Sequence, residues 1–413
     1  FFRRKIYLKV NMKFYKNIIL KSLQPMQKGY LHITLADGST MELGNKSNQH
    51  HADVHVHDDH FFKRAFLFGD IGFAEAFMAG EWTTSNLTAL LSWFLLNVDT
   101  APTLSGSTAK TLILNAFQFA NKIFHSKRKN SVTGSKKNIA AHYDLSNEFF
   151  SLFLDKTMTY SSAYYTAPKQ ELEKAQFEKY ESLCQSLKLN QDDHLLEIGT
   201  GWGGFAIYAA QTYKCKITTV TISQQQFDFA TQRIKQEGLE QFIEVQLKDY
   251  RLIEGKYDKV VSIEMIEAVG AQYLKVYFEK IQSVLKPSGV LAIQAIVCPD
   301  SRFEAFKKNV DFIQKHIFPG SLLPSIAAIN SAINETGDLF MFGLKDMGKS
   351  YVITLSEWRN RFNLNIEKVR QLGFDDEFIR KWNYYFSYCE AAFDMRNINV
   401  VQMVYTRPNN YNY

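Results

Sequence analysis

From His142 onward the chain alternates short apolar runs with stretches of helical period. Apolar runs at His194–Ile198, Cys215–Ile222, Phe242–Asp249, Lys259–Met265 and Gly289–Val297 predict five strands. Helical segments such as Gln224–Glu237 and Ala271–Leu285 separate them. Strands alternating with helices predict βαβ units and a parallel, doubly wound sheet. Cys298–Gly343 then reads as a long insertion, and insertions at such an edge usually form lids or substrate walls. Helices over Leu355–Leu372 and Asp375–Met395 and a closing strand over Asn399–Arg407 complete this half. The first half has a different texture. YLHITLADGSTMEL alternates around Asp37-Gly38, which predicts a hairpin within Gly29–Gly44. Asp53–Asp58 continues as a strand, and Phe61–Leu67, Phe73–Met78, Leu87–Leu96 and Thr108–Phe124 have helical period. SKRKNSVTGSKKN, polar and Gly/Ser-containing, reads as a linker. The expected domains are 1–125, a basic linker at 126–138, and 139–413.

Composition supports a globular chain large enough for two domains: 413 residues, 46% apolar, with 33 Phe and 21 Tyr. Ordinary packing or an apolar substrate channel explains the aromatics equally well. Net charge is +6, and its distribution changes the picture more than its size. Residues 1–36 carry eight Lys/Arg and no acid, and Thr100–Tyr143 carries seven and no acid. Basic stretches mixed with Phe, Tyr, Ile and Leu suit an anionic membrane surface, at about 1 kcal/mol per cation. A solvated, mobile end is the competing reading. No nucleic-acid motif accompanies the charge, so no nucleic-acid partner is expected. Four scattered cysteines without a C-x-x-C pair predict a reducing, cytoplasmic setting rather than a disulfide scaffold or structural zinc. No apolar run reaches the roughly 18 residues of a membrane span. Five of the ten histidines fall in 50–60, with His55 and His57 on one strand face. No Cys or Glu partner lies near them, so no metal site is expected.

The chemistry concentrates at HLLEIGTGWGG, residues 194–204. Glu197 ends a strand, and Gly199, Gly201, Gly203 and Gly204 follow at once. Glycines there let the backbone turn sharply and approach a ligand, and the following helix, Phe205–Gln211, presents its N-terminal amides. The spacing is not the G-x-G-x-x-G of a dinucleotide site. It resembles the first motif of S-adenosylmethionine-dependent methyltransferases. Together with HYDLSNEFF (142–150), MTYSSA (158–163), VTISQQQ (220–226), KDYR (248–251), EMIEAVG (264–270), IFPGSLLPS (317–325) and YYFSYCEAAF (384–393), the chain resembles the cyclopropane-fatty-acyl-phospholipid synthases and mycolic acid cyclopropane synthases. The resemblance covers essentially 140–407, and 29–97 resembles that family's N-terminal domain.

The resemblance implies an α/β fold: a class I S-adenosylmethionine methyltransferase, Rossmann-like doubly wound sheet with a smaller N-terminal α+β lipid-binding domain. It implies methyl transfer to the cis double bond of an unsaturated phospholipid acyl chain, followed by ring closure. The cofactor residues would be Tyr160, Ser161, Glu197, Gly199, Gly201, Thr221, Ile222, Gln226, Asp249 and Tyr250. Bicarbonate would take the proton, with Glu267 orienting it and Ser162, Gln294, Ile296 and Tyr351 completing its pocket. Peripheral membrane association would follow from the substrate, and a homodimer is left open. Three positions depart from the family pattern: Ser162 where many members have Cys, Gln294 where the short form has His, and Ala268 where it has His. Glutamine donates a hydrogen bond but does not titrate. The alternatives are a methylene- or methyl-branching enzyme, acting on fatty acyl chains or sphingolipids, and a lipid-binding protein with a decayed site.

Overall fold

The computed structural model describes residues 12–99, 145–411 and 413, in two compact units. The 126–138 linker, the Thr108–Phe124 helix, His142, the whole Thr100–Tyr143 basic stretch and the first eleven residues of the other lie outside the described residues.

The first unit contains the N-terminal segment and residues 374–391. Strands β1 (Tyr30–Thr34) and β2 (Thr40–Gly44) form the expected hairpin, and β3 (His51–Val56) pairs parallel to β1. The short β4 (Trp82–Thr83) completes a sheet of order β2-β1-β3-β4. The two segments read as Phe61–Leu67 and Phe73–Met78 form one helix, His60–Met78, kinked at Gly69, whose φ of 60° only glycine adopts readily. Leu87–Leu96 is helical as expected, with the Asn86 side chain capping Ala89. Residues 374–391, which the sequence placed in the 139–413 domain, group with this unit instead. There Arg380 Nε donates to the Met78 carbonyl at 2.6 Å and Thr88 Oγ1 to Glu390 at 3.1 Å.

The second unit is built on seven strands: β5 (His194–Ile198), β6 (Lys216–Thr221), β7 (Ile243–Leu247), β8 (Tyr257–Ile263), β9 (Leu285–Val297), β10 (Phe340–Asp346) and β11 (Asn399–Thr406). Their order is β10-β11-β9-β8-β5-β6-β7. The five predicted strands are parallel, while β11 runs antiparallel to β9 and β10 antiparallel to β11. Alternate residues feed two apolar layers. Leu196, Val260, Leu291 and Met403 pack with helices Leu274–Val284 and Ile326–Asn334, whereas Leu195, Val261, Ala292 and Val404 pack with Leu172–Leu187 and Gly204–Tyr213. Burial on both faces is why these strands read as near-continuous apolar runs.

Strand β10 lies in the stretch read as an insertion. Its pairing with β11 has a register shift between Met341 and Gly343. The helix expected over Leu355–Leu372 is instead Gly348–Leu364 followed by Ile366–Gln371. The winding reverses between β5 and β8, so a crevice opens at their carboxyl ends, where ligands of such sheets bind.

Candidate active site

Gly199 and Glu264 leave adjacent strands at that crevice. Gly199 has a φ of +107°, and a Cβ there would stand 3.4 Å from the Met265 side chain. The next turn is equally glycine-dependent: a Cβ on Gly204 would lie 2.5 Å from the Tyr180 hydroxyl. Behind the turn Glu197 is 2% exposed and accepts from Thr219 Oγ1 at 2.5 Å. Burial raises its pKa to about 8, against the opposing pull of Thr219 and Lys179.

The other proposed cofactor residues line the same strand ends. Thr221 Oγ1 donates to Gln226 Oε1 at 2.9 Å, and Ser223 caps the helix Gln224–Gln236 that carries Gln226. Ile222 sits between them, half-buried. Buried Asp249, just past β7, accepts Arg251 through both oxygens, at 2.8 and 2.7 Å. The Tyr250 ring packs edge-on against Tyr277, with centroids 5.3 Å apart. Tyr160 lies in an aromatic wall, 5.4 Å from Phe150, 5.2 Å from Trp358 and 6.1 Å from Phe318 between centroids.

The five residues expected to hold an anion do converge, and two carboxylates stand among them. Glu264, with a φ of +48°, accepts from Ser162 N at 2.9 Å, Gln294 Nε2 at 2.8 Å and Tyr351 Oη at 3.0 Å. Glu267 accepts from Ile296 N at 2.5 Å through one oxygen. Its other oxygen, Oε2, is buried with no hydrogen-bond partner among the described residues. Burial first, and the neighbouring Glu264 charge second, push its pKa up to about 8. The pKa of Glu264 is also raised by burial, offset by Gln294, Lys179, Ser162 and Tyr351.

Glu264 entered the sequence reading only within the motif EMIEAVG, without a role of its own, and Lys179 and Gln176 were missed. Lys179 is fully buried on the helix Leu172–Leu187 and donates to Ser161 Oγ at 2.7 Å. Burial pushes its pKa down, while Glu264, Asp155 and Glu197 pull it back up. Gln176 Nε2 donates to the Ser161 carbonyl at 3.1 Å. The available signal was spacing: Gln176, Lys179, Tyr180 and Leu183 share one face at helical period, so two polar residues interrupt a buried stripe.

The exposed histidines of β3 do not gather: His55 lies 3.6 Å from Asp53, and His57 bonds Thr83 at 2.7 Å. Among the described residues no three His, Cys, Asp or Glu are placed to hold a metal, and no helix is long and apolar enough to cross a membrane.

Comparisons with known proteins bear on the family and the fold. Residues 130–403 match the mycolic acid cyclopropane synthetase family. The chain is 38% identical over 360 residues to tuberculostearic acid methyltransferase UfaA1 of Mycobacterium tuberculosis, covering 84% of this chain and 82% of that one. It is 33% identical over 357 residues to the cyclopropane-fatty-acyl-phospholipid synthase of Escherichia coli, covering 86% and 88%. Among solved structures, cyclopropane synthase MmaA2 of Mycobacterium tuberculosis superposes with a TM-score of 0.62 at 26% identity, over 66% of this chain and 98% of that one. Mycolic acid cyclopropane synthase CmaA1, complexed with SAH and CTAB, gives 0.62 at 27%, over the same shares. The fold is that of the class I S-adenosylmethionine methyltransferases, and the chain belongs to the mycolic acid cyclopropane synthetase family as an S-adenosylmethionine-dependent methyltransferase.

Proposed function

We propose that the chain transfers a one-carbon unit from S-adenosylmethionine to the cis double bond of an unsaturated acyl chain on a phospholipid, and closes it to a cyclopropane ring. The observation that carries this is the position of the Glu264–Glu267 pair, one strand away from the glycine turn at the switch point. A methyl donor at the turn and a proton acceptor at the pair then act on the same carbon.

S-adenosylmethionine supplies an electrophilic methyl group on a sulfonium. Its site fits the residues present: Gly199 and Gly201 have positive φ, and a Cβ on Gly201 would meet nothing within 4 Å, which leaves backbone open to a ligand. Asp249–Tyr250 would flank the adenine, and Thr221 and Gln226 the ribose. An isolated double bond is a weak nucleophile, so most of the acceleration must come from alignment. Tyr160, half-buried and packed against Phe150 and Trp358, would offer its negative ring face to the carbocation that methyl addition leaves. The phospholipid substrate implies work at a membrane surface from the cytoplasmic side, and the basic stretches flanking the first domain support this.

A separately bound bicarbonate does not fit this arrangement. Ser162, Gln294 and Tyr351 already direct their donors to Glu264, and Ile296 directs its amide to Glu267.

A second reading has its own support, because a tuberculostearic acid methyltransferase is among the relatives: the added carbon would remain as a methylene or methyl branch. The experiment is mass spectrometry of lipids from a host lacking its own synthase, fed labelled methionine and expressing this chain. One labelled CH₂ gained on monounsaturated chains, with the olefin lost and the product resistant to hydrogenation, is the expected result. The same gain with an olefin that hydrogenates selects the second reading, and no gain refutes both.

A further inference from the structure

We propose that Glu264 is the base of this reaction: its carboxylate occupies the anion position and takes the proton from the newly attached methyl group. This rests on the methyl-transfer reading above and deepens it.

The geometry comes first. Glu264 follows the last residue of β8, which pairs with β5 and so neighbours the glycine turn. Its φ of +48° is a left-handed conformation that costs a non-glycine residue about 1–3 kcal/mol. A residue kept there against that cost has its side chain aimed by the surrounding structure. The aim is fixed by three donors from three different segments: the Ser162 amide, the Gln294 side chain on β9, and the Tyr351 hydroxyl on the helix Gly348–Leu364. The Glu264 amide, in turn, donates to the Gln294 carbonyl at 2.8 Å.

The chemistry of the neighbours then selects the base. Ser162 and Gln294 donate hydrogen bonds but do not titrate near neutral pH, and Ala268 has no polar side chain, so none of the three takes the proton. That leaves the two carboxylates. Like charges placed together push their pKa values apart. Glu264 gathers three donors from three segments, so its carboxylate is the one aimed and held as an acceptor, whereas Glu267 has one donor and an oxygen with no partner among the described residues.

The step balances without a further reactant. A C–H bond of the added methyl breaks, and its electron pair forms the C–C bond to the cationic carbon, closing the ring. The proton goes to a Glu264 oxygen and passes to water when product leaves.

The test uses the full chain, labelled S-adenosylmethionine and vesicles of a dioleoyl phospholipid, in buffer stripped of carbon dioxide and then supplemented with bicarbonate. The expected result is the same wild-type rate in both buffers. Glu264→Gln should lower turnover about 10²- to 10⁴-fold, the usual contribution of a general base, with S-adenosylmethionine affinity held within a few-fold. A wild-type rate that falls on stripping and recovers with bicarbonate overturns the proposal, and this needs no variant to fold. Glu264→Gln that keeps wild-type turnover overturns it as well. A wild-type chain that methylates no unsaturated lipid in either buffer overturns it together with the reading beneath it.

Discussion

Gln294 and Gln402 offer a quantitative check on how the sheet supports the carboxylate pair. They face each other across β9 and β11, and Lys345 on β10 continues the row. Gln402 Nε2 donates to Gln294 Oε1 at 3.0 Å; Ser182 Oγ donates to Gln402 Oε1 at 2.7 Å; Lys345 Nζ donates to Ser182 Oγ at 2.7 Å. Gln294 spends its amide on Glu264 at 2.8 Å and on the Ser162 carbonyl at 3.1 Å. Both glutamines are almost fully buried, at 0% and 2% exposure. Gln294→Leu loses a hydrogen bond to a charged group, about 1.5–3 kcal/mol, and strands the Gln402 amide and the Ser162 carbonyl. The added apolar contact offsets part of this, so about 3–5 kcal/mol is expected. Gln402→Leu strands the Gln294 oxygen and takes the acceptor from the Ser182 hydroxyl, which still accepts from Lys345, and about 2–3 kcal/mol is expected. The double variant no longer strands either amide against the other. Its loss should fall about 1–2 kcal/mol short of the sum. Urea unfolding of the four proteins, followed at the catalytic unit, measures that difference. Additivity to within about 0.5 kcal/mol would refute the reasoning. The kinetics should separate the two singles, since only Gln294→Leu removes a donor from Glu264.

Asp249→Asn breaks a buried, two-oxygen ion pair with Arg251, so it should weaken S-adenosylmethionine binding by about tenfold and lower Tm; calorimetry checks the first, and unchanged affinity would separate this pair from the cofactor. Glu197, at about 8, is mostly protonated at neutral pH, and a cationic ligand favours its ionised form. Binding at pH 7 should therefore release nearly one proton, and affinity should rise with pH until about 8; calorimetry in buffers of different ionisation enthalpy reads this, and a pH-independent affinity refutes it. The same raised value has a stability consequence of definite sign: the contribution of Glu197 is fully present below its ordinary pKa near 4.5 and is lost as pH rises through about 8.

The strand ends were legible because their causes are local. A buried parallel strand must be apolar along its length, and a turn at positive φ favours glycine, so His194–Gly204 announced itself. The hairpin at Asp37-Gly38 and the helix Leu87–Leu96 were read for the same reason. What stayed hidden depends on distant chain. Gln402 lies in a strand recognised from its pattern, yet its pairing with Gln294 is set by register across 108 residues. Lys179 looks like any solvated lysine until its helix is packed against the sheet. The attachment of 374–391 to the first unit has no local signal, because an amphipathic helix records that it has a partner and not which one.

The electrostatics of the site form one system rather than several residues with separate tasks. Glu197, Glu264 and Glu267 share the crevice with Lys179, and burial raises all three acids while it depresses the lysine. Each of those shifts is toward the neutral form, and the donors gathered on Glu264 oppose it there. The reaction changes that demand twice. In the proposed reaction a sulfonium would arrive beside Glu197 and a carbocation would then form beside Glu264. Each new positive charge lowers the cost of ionising the nearest acid, so negative charge is present where and when the positive charge is. A permanently ionised site would bind the cofactor as firmly, but it would hold the cation equally well before and after the proton leaves. Under the proposal, a carboxylate whose proton affinity has been raised by burial gains more from taking the proton than an exposed one would, and that gain favours ring closure.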